Sequence, residues 1–480
     1  MSTLTSLARA LAADRQVAQL ACTVRHVHIA ERPLVVIPLT LAGEANAPLA
    51  VMIGDNPDSP ALLFVPEPRD RDQRFAFAAE LAGVFLAHID STDAPQLLIP
   101  NPGGVAFARL LGRSTRFRRT DGPYAVAETV PLLGRWLTFF AERAEVPSSS
   151  LTLAVTDALS MHWATGQSAT EDLNLAALLG WIDPPPGLTG AQAAAAAEDP
   201  VRYPPAGPAT DPTFDNEVLE QRIAAVRTGR LTGDVGAVRR ASAALADALE
   251  SQLRPTWALM WRAVDLLRAL PPGAHVAGRW AGDQETFGRY ATYLREDGRP
   301  QPRRDSAVSA ARRLASLEKV QAEYAAQRAF DDPLVMAEHR MTGEAFAGTV
   351  VAAEPDRVDD TGRRRVLRPR ITVTTDDAFR LERSVALTSP ARPRQEARVI
   401  TFAPGDPARI VLELKGGMGR SLTPEPGSVP EPGEWVTYAT FNDGFHRVPE
   451  FPPPEETPWT HGGPPLPYVP TAEDATEDWS

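Results

Sequence analysis

The sequence predicts a multidomain chain that is α/β at its N-terminal end, all-α in the middle and all-β towards its C-terminal end. Three observations lead there. Strand-like and helix-like patterns interleave over 1–186, helical periodicity runs without strand signals over 216–335, and short β-branched and aromatic runs fill 340–444. A Pro/Ala-rich connector, 187–215, joins the first two parts, and a Pro-rich acidic tail, 445–480, follows the third.

In the α/β part, Leu4, Leu7, Leu11, Val17 and Leu20 recur at roughly helical spacing and predict a helix over residues 2 to about 30, ended before Pro33. Strand-like runs at 34–41, 49–53 and 61–65 are separated by turn-forming GEANAP and GDNPDSP. An amphipathic helix over 73–88 and a strand over 96–99 come next. The turn Asn101-Pro-Gly-Gly opens a short helix over 105–111, and a helix over 130–144 leads to a strand over 151–155.

The stretch 151–186 holds the least interchangeable residues. Thr156 to Trp163 reads as a helical piece, and Ser168-Ala-Thr-Glu171 as a capping box in which serine and glutamate satisfy each other's amides. Gly180 is placed as the stop of the helix that follows. Gly166-Gln-Ser168-Ala-Thr170 nearly matches the G-x-S-x-G nucleophile elbow, with His162 as a base. Thr170 would crowd that turn, so the stretch reads as a junction rather than an active site.

In the middle part, Val235, Val238, Ser242, Leu245 and Leu249 trace one helical face. Trp257, Met260, Trp261, Val264 and Leu267 trace a second, and Leu314, Leu317, Val320 and Tyr324 a third over 306–330. A helical bundle or hairpin array is expected. Six runs at 346–352, 366–374, 381–387, 398–402, 410–414 and 435–441 predict a small β-barrel or sandwich, with an OB-like barrel among the candidates. The tail, poor in aliphatic residues, is expected to be disordered.

Of 480 residues, 43% are hydrophobic and 23% charged, the composition of a globular protein. No apolar run reaches the roughly 20 residues that cross a bilayer, so no membrane partner is expected. The N-terminus lacks the basic end and apolar core of a leader, and a cytoplasmic location is expected. A single cysteine, Cys22, excludes an intrachain disulfide and any Cys-cluster metal site. The net charge of −12 argues against coating nucleic acid through bulk charge. Lysine occurs only at Lys319 and Lys415, so arginine carries nearly all the positive charge and only its clusters are informative.

Two clusters stand out. Arg109, Arg113, Arg116, Arg118 and Arg119 follow Gly103 and Gly104, whose amides at a helix start could hold an anion. Arg363, Arg364, Arg365, Arg368 and Arg370 surround a turn in the β part, where a nucleic-acid backbone could dock, although Asp356, Asp359 and Asp360 lie just before them. Gly416-Gly-Met-Gly419 lacks the spacing of a phosphate loop and reads as a glycine-rich turn. His26 and His28 diverge on the expected helix, so no metal or cofactor is expected. The tail's Asp478 and Trp479 could engage a protein partner through a basic pocket with an apolar slot.

The order helix, three-strand meander, helix, strand over 2–100 is similar to the core of the PD-(D/E)xK nucleases. That resemblance implies metal-dependent cleavage using Asp55 and Glu67, with Glu80 as a third carboxylate. Pro68 and Arg69 depart from the family's Glu-x-Lys. With no complete catalytic constellation, the preferred expectation is a non-enzymatic scaffold or accessory subunit of a nucleic-acid-processing assembly, contacting DNA or RNA through the arginine clusters. A nuclease, or a purely protein-binding adaptor, is the alternative.

Overall fold

A five-stranded mixed sheet organises the larger part of the chain. In the computed structural model, which describes residues 3–44, 47–403 and 406–444, strands β1 (Leu34–Thr40), β2 (Pro48–Gly54) and β3 (Ala61–Phe64) form an antiparallel meander. Strands β4 (Leu97–Ile99) and β5 (Thr152–Ala154) add in parallel, giving the order β3-β2-β1-β4-β5. Helix α1 (Thr3–Arg15) precedes the sheet and α2 (Arg71–Asp90) follows the meander. Helices α3 (Pro102–Thr115) and α4 (Thr129–Arg143) lie between β4 and β5, and α5 (Val155–His162) follows β5. The N-terminal part is therefore α/β.

The first helix is shorter than its periodicity suggests. It stops at Arg15, and Gln16 takes a left-handed φ of 58° that no helix continues through. Gln19–Leu20 then pairs with Trp163–Ala164. Val17 and Leu20, which extended the pattern, are 38% and 51% exposed.

Alternation along the strands buries both faces of the sheet. Val35, Ile37, Leu39, Ala50 and Met52 point to one core, and Leu34, Val51, Ile53, Leu97 and Ile99 to the other. Helices α2 to α4 cover the second face with Phe77, Phe85, Trp136 and Phe140. The first is covered by α5, by α6 (Leu175–Ile182) and by helices from further along the chain. The chain continues through α7 (Gly190–Ala196), α8 (Glu220–Thr232), α9 (Val235–Ala269), α10 (Val276–Arg295) and α11 (Ala307–Asp331). Helices α8 and α9 share the first core and α10 reaches the second through Phe287, so Thr5–Glu318 forms one compact unit.

The two apolar faces expected as separate helices are one helix of 35 residues, with Pro255 inside it. Leu245, Leu249, Leu253, Trp257, Met260, Val264 and Leu267 form a continuous buried stripe. An internal proline costs about 3 kcal/mol. Each buried side chain of this size contributes about 1.5–3 kcal/mol, so the stripe wins. Within 187–215 the alanine run is α7, opened by a Thr189–Gln192 capping box. The remaining irregular part is pinned to β1, where the Thr40 amide donates to Pro208 O at 2.6 Å. Gly180, expected as a stop, lies inside α6, where an added Cβ would come 3.1 Å from the Ala193 Cβ of α7. It is a close-packing position.

A buried polar joint holds the entry to β4 and β5. Gln96, fully buried, donates from Nε2 to His28 O and Ser150 O, each at 2.7 Å, and accepts the Ala30 amide at 2.9 Å. Asp283 of α10 accepts the Ser149 hydroxyl at 2.7 Å and the Ser150 amide at 2.6 Å.

The second unit begins at Lys319. Helix α12 (Pro333–Thr342) leads into β6 (Ala345–Glu354), and a short hairpin of β7 (Val358–Asp359) and β8 (Val366–Leu367) follows. Strands β9 (Arg370–Thr374), β10 (Ala386–Ser389), β11 (Arg392–Ala403), β12 (Asp406–Lys415) and β13 (Trp435–Ala439) complete a closed antiparallel barrel in the order β9-β12-β11-β10-β13-β6. Closure decides between barrel and sandwich. Phe346, Ile371, Val399, Leu412 and Tyr438 fill it. Arg340 of α12 donates twice to Asp377, at 2.7 and 2.9 Å, and fixes the helix to the barrel. The expected disorder of 445–480, and Asp478 and Trp479, lie outside the described residues.

Asp283→Ala should lower the stability of the chain by about 3 kcal/mol, because it leaves the Ser149 and Ser150 donors buried without an acceptor; urea unfolding measures it. Burial also pushes the Asp283 carboxyl up. The folded state then holds its proton to higher pH than the unfolded state does. Asp283's share of stability should therefore be lost as pH rises from about 4 through that raised value. Asp283→Asn should flatten the unfolding midpoint over this window.

Candidate anion-binding surfaces

The first arginine cluster begins at the N-terminus of α3. Asn101 caps it, its side-chain oxygen accepting the Gly104 amide at 3.1 Å, while its amide nitrogen donates to Gly207 O at 3.0 Å. A Cβ on Gly104 would lie 2.5 Å from Ile99 Cγ2, and one on Gly103 would lie 2.9 Å from Pro208 Cδ. These glycines are needed for close approach to β4 and to the connector. Of the two glycines expected at an anion site, Gly104 is buried with its amide taken by Asn101, and Gly103 is half-buried beside Pro208 of the connector.

The arginines after it are mostly engaged inside the unit. Arg109 pairs with Glu145 at 2.8 Å. Arg116 is 4% exposed and donates to Gln301 O and Pro302 O, each at 3.1 Å. Arg118 donates to Ser114 O at 2.8 Å, with its guanidinium 5.0 Å from the Phe75 ring centroid. Arg119 pairs with Asp121 at 3.2 Å, leaving Arg113 exposed on α3. Sequence reasoning also missed Arg71, whose guanidinium sits 4.8 Å from Phe75 and 5.6 Å from Tyr124. The Arg71–Phe75 spacing of four on a helix is the signal that would have found it.

The second cluster divides differently. Arg368 donates to Leu367 O at 2.9 Å, and Arg370 joins Arg357 on the Glu413 carboxylate at 3.2 and 2.8 Å. Those two serve the barrel wall. Arg363, Arg364 and Arg365 form the exposed tip of the β7–β8 hairpin and, among the described residues, have no hydrogen-bond or ion-pair partner. Asp359 accepts both the amide and the hydroxyl of Thr361, at 3.1 and 2.7 Å. These bonds hold its carboxyl below the usual range and commit it to the turn. Asp356 and Asp360 remain exposed beside the tip.

The carboxylates of the nuclease alternative do not converge. Asp55 pairs with Arg32 at 2.6 Å and approaches His88 Nδ1 at 3.4 Å. Glu67 pairs with Arg227 and Arg230 at 3.2 and 3.1 Å, while Glu80 is exposed on α2. Among the described residues they form no group whose oxygens lie within 4.8 Å of one another.

The other motifs have structural places. Ser168 and Glu171 make the expected box, with the Ser168 amide donating to Glu171 Oε2 at 2.6 Å, but it opens a single turn. Helix α6 itself is capped by Asn174. His162 Nε2 accepts the His26 amide at 2.9 Å and Nδ1 meets Ala158 O at 2.6 Å, so both ring nitrogens are used. His28 stacks on Trp280 with 4.1 Å between centroids. Gly416, Gly417 and Gly419 all have left-handed φ, and no helix follows them before β13.

Arg116→Ala should cost about 3 kcal/mol of stability by removing a buried guanidinium that donates to the Gln301 and Pro302 carbonyls. Arg113→Ala should stay within about 0.5 kcal/mol of the parent. Thermal and urea unfolding separate a buried clamp from a surface charge. No protein-family model, curated protein or solved structure matches the chain.

Proposed function

We propose that the chain is a non-catalytic scaffold or accessory subunit of a nucleic-acid-processing assembly, and that it grips the phosphate backbone with Arg363, Arg364 and Arg365. One observation carries the reading: three consecutive arginines at a hairpin tip, exposed and without partners among the described residues. Unpaired arginine forks on a protruding turn suit phosphate oxygens, which accept two parallel N–H bonds from each. The net charge of −12 makes the contact local, so it positions a nucleic acid without coating it. A protein contact is assigned to Asp478 and Trp479 in the acidic tail, on its sequence alone.

Fluorescence anisotropy with single- and double-stranded DNA and RNA across a salt series tests this. The full chain should bind at low salt and weaken as salt rises. Replacing all three tip arginines by alanine should reduce the log–log salt slope by roughly two to three, about one per phosphate contact. Arg116→Ala should leave the slope unchanged. Absence of binding at low salt, or an unchanged slope in the triple variant, removes the proposal.

A further inference from the structure

Beside the open edge of β5 lies a cleft of about 400 Å³, within the range of small-molecule sites. β5 ends its sheet, so part of its backbone faces away from the β4 ladder and onto this cleft. The walls are apolar, with Val105 and Ala106 from α3, Val146 and Pro147 from the turn after α4, and Met161 from α5. Two polar side chains facing it lack partners among the described residues. Thr152 is 3% exposed and its Oγ1 makes no hydrogen bond. Asp157 stands at the mouth, where its carboxylate has neither a hydrogen-bond donor nor a cation.

The remaining charges on the rim, Arg109 and Glu145, neutralise each other in their ion pair. The cleft therefore has one carboxylate without a cationic side chain beside it, Asp157 in the first turn of α5. Desolvation by its surroundings pushes that carboxyl up, although the residue remains exposed to solvent.

We propose that this cleft binds a small apolar amine, with its ammonium on the Asp157 carboxylate and its hydrocarbon part against Val105, Val146 and Met161. The class follows from shape and charge together: hydrocarbon walls and one anionic group at the entrance. The proposal rests on other residues than the arginine tip and stands without it.

Phenethylamine and its neutral counterpart 2-phenylethanol are titrated against the full chain by ligand-observed NMR. The amine should bind at least about tenfold more tightly than the alcohol, as a charged hydrogen bond gives. Asp157→Asn should remove that advantage and leave the alcohol's affinity in place. Ala106→Trp, at an exposed helix position whose folding circular dichroism checks, should fill the cleft and abolish binding of both. Amine affinity should also fall on acidification, as Asp157 takes up its proton. Equal affinity for amine and alcohol, retention of the amine's advantage in Asp157→Asn, binding unaffected by Ala106→Trp, or no binding by the amine each overturns the proposal.

Discussion

Two parallel strands brought together from distant parts of the chain need something other than a hairpin to fix where they start. In this protein that is the buried joint of Gln96, Ser149, Ser150 and Asp283. A tight turn sets the register of an antiparallel pair, but between β4 and β5 lie two helices and the loop joining them. Gln96 bonds the backbone on either side of it, and Asp283 carries α10 onto the same point. His28, held neutral with its pKa lowered to about 4 by burial and by Arg25, stacks on Trp280 without adding a charge. Every donor in such a joint must be met, because inside a low-dielectric core an orphaned one costs more than a good bond returns.

The arginines follow the same logic. Arg116, Arg268, Arg135 and Arg279 donate to backbone carbonyls far away in sequence. A planar fork that is always charged can satisfy carbonyl oxygens at loop ends where helices and strands cannot. Clustering along the sequence therefore says little about clustering on the surface. Within 109–119 the residues mostly turn inward or pair with acids, whereas at 363–365 the hairpin is too short to fold back on its own tip.

The strands of the meander, helices α2 to α4 and the barrel strands were legible because each is a local pattern of period two or 3.6. Continuity through Pro255 was not, because the burial that overrides a proline comes from a core assembled from the sheet and from α5, α6 and α8. Nor was the attachment of residues 216–318 to the sheet, since an apolar helical face does not name the surface it covers. The alanine helix α7 had a readable capping box at Thr189 and Gln192, obscured by the prolines around it. Of the candidate sites, the exposed tip was visible as three consecutive arginines. The cleft beside β5 was not, because it is assembled from α3, a turn, a strand and α5, and no spacing connects Val105 with Thr152 and Asp157.

Helix α9 also has a consequence for how the protein is made. The meander is complete at Phe64, but the helix that covers one of its faces begins only at Val235, about 170 residues later. At roughly 5–20 residues per second, a ribosome takes on the order of ten to thirty seconds to deliver it. During that interval Ile37, Leu39 and Met52 belong to a nascent chain that lacks α9 over them. Until then part of that apolar face is without its final cover, the kind of exposed surface that makes folding intermediates of larger chains prone to aggregate.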